Sequence, residues 1–240
     1  VTTVGGNGFL ENTTRNALQV LDVIGRSDVK VYPGHAGPST KELVIADNVH
    51  GKTAMDGPQL PPPSKSAESK HGVDFIVDTG MSTDDVTLIA TGPLTNIASA
   101  LNKAPRIAQR AKGLYIMGGG AYCGNWTAAA EFNIFVDPEA AYKVFHSGMP
   151  IYMCGVNLTR QCPVLRENVE KMRALGNKAG KFAAELLDFF ARGGDAHLHD
   201  PCAVAWIIAP SIVTSAYLHV DIELDGTLTR GMTVTDLRPL

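Results

Sequence analysis

The stretch GLYIMGGGAYCGNWTAAAEFN (residues 113–133) joins an apolar run to a glycine-rich ending. Its first five residues are mostly apolar, as expected for a strand that is covered on both faces of a parallel sheet. Gly118, Gly119 and Gly120 follow, and glycine lets the backbone approach a ligand closely. Because ligands of open parallel sheets bind beyond the carboxyl ends of the strands, this stretch predicts a site at that edge of a sheet.

Similar apolar runs recur along the chain and alternate with helical patterns, which predicts an α/β fold with a mostly parallel sheet and helices on both faces. The predicted strands are 1–4, 29–34, 86–93, 113–120 and 150–155, and the predicted helices are 12–24, 94–102, 137–148, most of 163–191, and 200–208. The period-two pattern of 216–236 around Asp225-Gly226 predicts a C-terminal β-hairpin. A length of 240 residues is ordinary for one such domain, so we expect residues 1–240 to form a single domain.

Composition and charge argue against several classes of protein. The net charge of −3 and the pI near 6.2 provide no basic surface for nucleic acid or an anionic membrane. No apolar run reaches the roughly 18 residues of a membrane span, and the N-terminus lacks a signal-peptide pattern, so the predicted location is cytoplasmic. Cys123, Cys154, Cys162 and Cys202 form no C-x-x-C pair and are predicted to be reduced thiols.

Three polar side chains follow the glycines: Asn125, Glu131 and Asn133. Two carboxamides and a carboxylate suit a neutral, hydroxyl-rich ligand such as a sugar, because they donate to and accept from hydroxyl groups. The alternative is that Asn125 makes a turn and Glu131 is solvated. These residues alone leave both interpretations open.

Two further segments carry residues with possible chemical roles. LHDP (198–201) places His199 and Asp200 before an apolar helix, and histidine is the usual proton donor near neutral pH. An aspartate at a helix start is more often a cap. VHGKTAMDGP (49–58) places His50 in a glycine-containing loop, where a surface histidine is the simpler interpretation.

The segment DTGMSTDD (78–85) has the composition of a cation site, with Asp78, Asp84 and Asp85 close together. It precedes the predicted strand 86–93 and therefore lies at the amino edge of the sheet, opposite the glycine-rich loops. We predict a solvated turn there.

Five segments, taken together, resemble the inosine–uridine-preferring nucleoside hydrolases and occur in that family's order along nearly the whole chain. NWTAAAEFNIFVDPEAA (125–141) is the most specific of them. The others are VTTVGGN (1–7), VHGKTAMDGP (49–58), VTLIATGPLTNIA (86–98) and LHDPCAVAWIIAPSIV (198–213). The resemblance implies a Rossmann-like sheet of the nucleoside hydrolase type.

The resemblance implies hydrolysis of the N-glycosidic bond of ribonucleosides, assisted by Ca²⁺ and passing through an oxocarbenium-like transition state. It implies metal ligands, catalytic groups and substrate contacts at matching positions. The metal ligands are the Thr91 carbonyl and Asp200; the catalytic residues are His199, Asn7 and Asn133; and the substrate contacts are Asn125, Glu131, Asn133, Met117, Phe132, His50 and His199.

Each of these residues has an implied place in the site. Asn125 and Glu131 hold the 5′-hydroxyl end of the ribose, and Asn133 holds the hydroxyls near the metal. Asn7 lies near the metal-bound water, and Met117 and Phe132 line the sugar site. His199 is the candidate proton donor to the departing base, and His50 lies in the base pocket.

The sequence departs from the family at both ends, and at its C-terminal end it lacks the family's closing strand and helix after RGMTVTD (230–236). The family's D-x-D-P-G-x-D-D motif is absent, and the chain opens on Val1 within a strand pattern, so we expect an incomplete domain. The alternative is a relative that binds nucleosides without hydrolysing them. A dinucleotide-binding oxidoreductase is disfavoured because GGGAYCG (118–124) does not fit G-x-G-x-x-G spacing.

The family also implies assembly as a homodimer or homotetramer. The VHGKT segment (49–53) and His199 favour a broad range of inosine and uridine substrates.

Overall fold

A computed structural model describes residues 1–194 and 196–238, and strands alternate with helices along them. In chain order the elements are β1 (Thr2–Thr3), α1 (Leu10–Val23), β2 (Tyr32–Pro33), α2 (Asp47–His50), α3 (Gly72–Ser82), β3 (Thr87–Ala90), α4 (Thr95–Lys103), α5 (Ile107–Arg110), β4 (Gly113–Met117), α6 (Phe132–Val136), α7 (Pro138–Phe145), β5 (Ile151–Cys154), α8 (Val156–Thr159), α9 (Arg166–Ala174), α10 (Lys178–Phe190), α11 (Asp200–Ile208), β6 (Val220–Ile222) and β7 (Thr233–Thr235). Short 3-10 turns span Ala191–Gly193 and Pro210–Ile212. β3, β4 and β5 are shorter than predicted because their glycine-containing ends leave the ladder, and β1 and β2 keep two residues each.

Parallel pairing dominates the strands, which confirms the predicted sheet type. β3, β4 and β5 form one parallel sheet in that order, with Leu114 opposite Leu88 on one side and Ile151 on the other. β1 and β2 form a second parallel pair. The carboxyl ends of β3, β4 and β5 therefore lie side by side.

Helices cover both faces of this sheet, as predicted. Leu114 and Ile116 of β4 point into the main apolar cluster, which contains residues of α3, α4 and α7. Tyr115, between them, points to the opposite face and contacts Tyr152 at a ring-centroid distance of 4.2 Å and Trp206 of α11 at 5.6 Å. This alternation is the period-two pattern of a strand buried on both sides.

The C-terminal hairpin is present, with β6 antiparallel to β7 and Val220 opposite Thr235. Its connection spans residues 223–232 and is longer than a two-residue turn at Asp225-Gly226. The Glu223 carboxylate accepts hydrogen bonds from the amides of Asp225 and Gly226 at 2.8 and 3.0 Å. That side chain stabilises a wider loop in place of a tight turn.

The helical region 163–191 contains two helices, α9 and α10. Gly176 has a φ of +67° between them, in the left-handed region that ends helices. Asn177 then caps α10, its side-chain oxygen accepting from the Gly180 amide at 2.8 Å.

The interpretation of 78–85 as a turn was wrong for its first residues, because α3 extends to Ser82 and includes Asp78. Asp78 pairs with Lys70 at 2.6 Å and Asp84 with Arg110 at 2.6 Å. Asp84 and Asp85 precede β3, at the amino edge as predicted. The apolar face of α3 packs on α4, a tertiary contact that the sequence pattern did not indicate.

The four cysteines are free thiols in the structure. The Sγ atoms of Cys162 and Cys202 lie 3.7 Å apart. Burial raises the pKa of the Cys154 thiol to about 11 and that of Cys202 to about 12, so both stay protonated at neutral pH.

No helix within residues 1–194 and 196–238 combines the length and hydropathy needed to cross a membrane.

Leu114→Ala tests the central position of β4. Leu114 is 0% exposed, so its truncation should lower the free energy of unfolding by about 2–5 kcal/mol, through lost burial and a residual cavity. Urea unfolding followed by circular dichroism measures this change. Leu228→Ala removes the same atoms from a residue that is 87% exposed and should change stability by less than about 0.5 kcal/mol. Equal effects in the two variants would contradict the assigned core.

Candidate active site

The loops that follow the parallel strands meet at one edge of the molecule. Thr91 follows β3, and Met117 ends β4 beside it in the same sheet. Asn7 follows β1 in a loop that contacts the loop after β3, because a Cβ built on Gly6 would lie only 2.7 Å from Cδ of Pro93. Three of the predicted site residues thus come from neighbouring strand ends and the loops that follow them.

The glycines after β4 are required by close packing. Gly119 has a φ of +74°, which side chains rarely adopt, and a Cβ there would lie 2.7 Å from the Thr233 side chain. A Cβ on Gly120 would lie 2.1 Å from the Cys123 carbonyl oxygen. The Gly119 carbonyl accepts a hydrogen bond from the Val156 amide at 2.8 Å, which joins this loop to α8.

Glu131 is a buried carboxylate at the start of α6. It is 2% exposed, so the alternative of a solvated side chain does not hold. Its Oε2 atom accepts hydrogen bonds from the Gly119 amide at 2.9 Å and the Ile134 amide at 3.2 Å. Burial nevertheless outweighs these bonds and raises the pKa of the carboxyl from 4.5 to about 7, and the Asp200 carboxylate contributes in the same direction.

Asn133 is the second residue of α6, and its side chain reaches back to β4. It is 6% exposed and donates from Nδ2 to the Met117 carbonyl at 3.0 Å, with the Met117 sulfur 3.5 Å away. Asn133 and Met117 therefore form one unit at the end of the strand. The structure brings these two predicted residues together.

Asn125 stabilises the loop that leads to these residues. Its Oδ1 accepts a hydrogen bond from the Phe132 amide at 2.9 Å, which supports the alternative of a turn-forming role. The Phe132 side chain is buried against Trp126, with ring centroids 4.8 Å apart. The Asn125 side chain itself remains exposed.

Asp200 and His199 lie where α11 begins. Asp200 is the first residue of α11, and no side-chain hydrogen bond caps this helix, so the capping alternative for Asp200 does not hold. Part of the Asp200 residue is exposed, but burial of its carboxyl group by surrounding protein atoms raises the pKa of that group to about 7. Nδ1 of His199 lies 2.7 Å from the Thr159 hydroxyl.

His50 ends α2 and is half-buried. Its ring stacks on Phe190 at a centroid distance of 6.0 Å and an interplanar angle of 3°. Burial lowers the pKa of its imidazole, which favours the neutral ring. His50 therefore links α2 to the end of α10.

The described residues offer few ligands for a calcium ion. Calcium takes about six to eight oxygen ligands. Residues 1–194 and 196–238 contain no group of three or more His, Cys, Asp or Glu that could hold a metal ion. The Asp200 carboxylate and the Thr91 carbonyl fall short of that shell, so the donors described here do not fit calcium by themselves.

Thr159 was missed by the sequence reasoning. It is the last residue of α8, the short helix that follows β5 after Gly155, and its side chain is fully buried. The position of α8 after a strand end is a usable signal, but the partner of Thr159 is forty residues away in sequence. Only the folded chain shows this contact.

Known proteins resemble this chain over nearly its full length. A family model described as inosine-uridine preferring nucleoside hydrolase matches residues 1–240. A pyrimidine-specific ribonucleoside hydrolase, RihA, from Photobacterium profundum is 45% identical over 98% of this chain and 79% of its own length. The protein of the same name from Shewanella sp. strain ANA-3 is 46% identical over 98% of this chain and 77% of its own length.

Solved structures agree with these sequence matches. A purine-preferring ribonucleoside hydrolase from Gardnerella vaginalis superposes with a TM-score of 0.93 at 36% identity, over 98% of this chain and 79% of its own. A plant nucleoside hydrolase superposes with a TM-score of 0.90 at 30% identity, over 100% of this chain and 80% of its own.

Glu131→Gln tests the energetic cost of the buried carboxylate. The folded protein binds the Glu131 proton more tightly than the unfolded chain does, because burial raises the folded-state pKa to about 7. The resulting stabilisation is fully present below about pH 4.5. The free energy of unfolding then falls by about 3 kcal/mol in all as pH rises through about 7. Glutamine still accepts the two amide hydrogen bonds but does not ionise. The decrease in the free energy of unfolding between pH 5 and pH 8 should therefore be smaller in this variant.

Urea unfolding without added ligand or metal, repeated across that pH range, measures the decrease. Glu167→Gln, at an exposed position of α9, is the matched control and should retain the wild-type pH dependence. The same pH dependence in Glu131→Gln and in the wild type would contradict the assignment.

Proposed function

The chain belongs to the inosine–uridine preferring nucleoside hydrolase family, and from this premise we propose how its residues act on their substrate. It is a ribonucleoside hydrolase, which converts a nucleoside and water to a free base and ribose. The observation that carries the proposal is the buried pair of Glu131 and Asn133 beside Met117, at the carboxyl ends of the parallel strands. Buried polar groups at this position suit a hydroxyl-rich ligand.

Glu131 and Asn133 are proposed to bind the ribose. Cleavage of the N-glycosidic bond leaves positive charge on the sugar ring. A carboxylate in a site of low polarity stabilises that charge more strongly than it would in water. The developing charge would in turn favour the ionised form of Glu131, whose pKa burial raises to about 7.

The other substrate contacts follow from their places around this pair. Asn125 is proposed to contact the 5′-hydroxyl end of the ribose, since its side chain is exposed on the loop beside Glu131. Met117 and Phe132 are proposed to line the sugar site. Asn7 is proposed to approach the ribose from the loop after β1.

His199 is proposed to donate a proton to the departing base. It lies directly before Asp200, and its Nδ1 is 2.7 Å from the Thr159 hydroxyl. His50, stacked on Phe190, is proposed to line the base pocket.

Calcium assistance is a separate proposal and is supported by the resemblance. Asp200 and the Thr91 carbonyl would be two of the ligands. Adding a chelator to an assay of ribose release tests this proposal by itself.

We propose a preference for pyrimidine ribonucleosides. Relatives that are 45–46% identical over 98% of this chain are named pyrimidine-specific. A purine preference is the second candidate, since the structure with a TM-score of 0.93 is named purine-preferring at 36% identity. Relative kcat/KM values for uridine, cytidine and inosine distinguish the two.

Assembly into a homodimer or homotetramer remains a prediction. Light scattering of the purified protein measures the mass of the particle. A monomeric mass at micromolar concentration would contradict it.

The decisive assay is release of ribose from uridine, cytidine and inosine with added Ca²⁺, and then with a chelator. Release that the chelator abolishes would support both the hydrolase mechanism and the metal. Release that the chelator does not change would contradict calcium assistance alone. Binding of uridine without any ribose release would favour the alternative of a nucleoside-binding relative.

Asn133→Ala should lower kcat/KM for uridine by about 10²–10³-fold, as expected when one group that stabilises transition-state charge is removed. The loss should appear mainly in kcat, because contacts to the charged ring strengthen in the transition state. Asn102→Ala is the matched control, since Asn102 is exposed near the end of α4 at the opposite edge of the sheet. Unchanged kcat/KM in Asn133→Ala would remove this residue from the site.

His199→Ala should lower kcat for uridine and inosine by about 10²–10⁴-fold, the usual contribution of a general acid. It should affect a 4-nitrophenyl riboside much less, because 4-nitrophenolate departs without a proton. Steady-state kinetics with the three substrates provides the comparison. An equal loss on all three would contradict the proton-donor role.

A further inference from the structure

Thr159 and His199 form a contact between two elements that are distant in sequence. Thr159 closes α8 and is 0% exposed, and His199 precedes α11. The Thr159 hydroxyl oxygen and Nδ1 of His199 are 2.7 Å apart, a good hydrogen-bond distance. The contact therefore joins a buried hydroxyl to the proposed proton donor.

Thr159 is held in place by the loop that forms the floor of the site. The Val156 amide donates to the Gly119 carbonyl at 2.8 Å, and Asn157 accepts from the Ala121 amide at 3.0 Å. Arg160, the next residue, donates to the Gly124 carbonyl at 3.1 Å. The single turn of α8 is thus fastened to residues 119–124, so its hydroxyl has a fixed position relative to the sugar-binding residues.

The backbone before His199 is fixed independently of its ring. The Leu198 amide donates to the Cys162 carbonyl at 2.8 Å, and the Cys202 amide donates to the His199 carbonyl at 3.1 Å. These bonds determine where the histidine is attached to the backbone. The Thr159 hydroxyl contacts the ring itself, at Nδ1.

We propose that Thr159 is a positioning residue that orients the His199 imidazole in the site. The inference rests on the proton-donor role proposed for His199. A hydroxyl suits this task because it can both donate to and accept from an imidazole nitrogen.

Thr159→Val and Thr159→Ser test the proposal on two substrates, uridine and a 4-nitrophenyl riboside. Valine has nearly the shape of threonine but no hydroxyl, whereas serine keeps the hydroxyl. We expect Thr159→Val to lower kcat for uridine by about 10- to 100-fold, within the range for a partner that orients a functional histidine. KM for uridine and kcat for the 4-nitrophenyl riboside should change less than about twofold, and Thr159→Ser should recover most of the loss.

A double variant supplies the second readout. If Thr159 acts through the His199 ring, Thr159→Val should cause no further loss in a His199→Ala background. Thr14→Val is the matched control. It removes the buried hydroxyl of Thr14 on α1, which lies 2.8 Å from the hydroxyl of Thr3 on β1. Thermal unfolding of each variant reports whether a loss of activity reflects loss of the fold.

The outcomes separate this inference from the proposed function. A wild-type protein that releases ribose, together with a fully active Thr159→Val, would overturn the positioning role alone. Equal losses on both substrates, a serine variant as impaired as the valine variant, or a further loss in the His199→Ala background would also overturn it. A wild-type protein without activity on either substrate would instead contradict the proposed function.

Discussion

One buried carboxylate oxygen holds the proposed site together. Oε2 of Glu131 accepts hydrogen bonds from the amides of Gly119 and Ile134, and so joins the loop after β4 to the first turn of α6. The two bonds favour the carboxylate, but burial disfavours it more and raises the pKa to about 7. A positively charged sugar ring would reverse this balance, so the same residue connects the architecture of the site with its proposed chemistry.

The parallel register of β3, β4 and β5 determines where that chemistry can occur. Parallel strands end at the same edge, so the residues that follow each strand come together regardless of their separation in sequence. The helices after β5 extend this arrangement. α8 rests on the glycine loop and presents Thr159, while α11 packs on the opposite face from α4 and presents His199 at its start.

Local sequence patterns predicted most of the fold and part of the site. Asp137 and Pro138 marked the start of α7, where the Asp137 carboxylate accepts from the Ala140 amide at 3.0 Å. α3 was not predicted: its cap is His71, whose ring accepts from the Val73 amide, and histidine is not a usual capping signal. The break between α9 and α10 was present as Gly176 and Asn177, yet the helical pattern on both sides concealed it.

The sequence by itself determined the alternation of strands and helices and the clustering of Asn125, Glu131 and Asn133 after a strand, because both follow from residues close together in the chain. Only the tertiary structure decided that Glu131 is buried, that Asn125 is partly structural and that Thr159 contacts His199. Burial and long-range hydrogen bonds depend on which elements pack together. A hydroxyl and an imidazole forty residues apart carry no shared local pattern, so their contact exists only once β5 and α11 have packed.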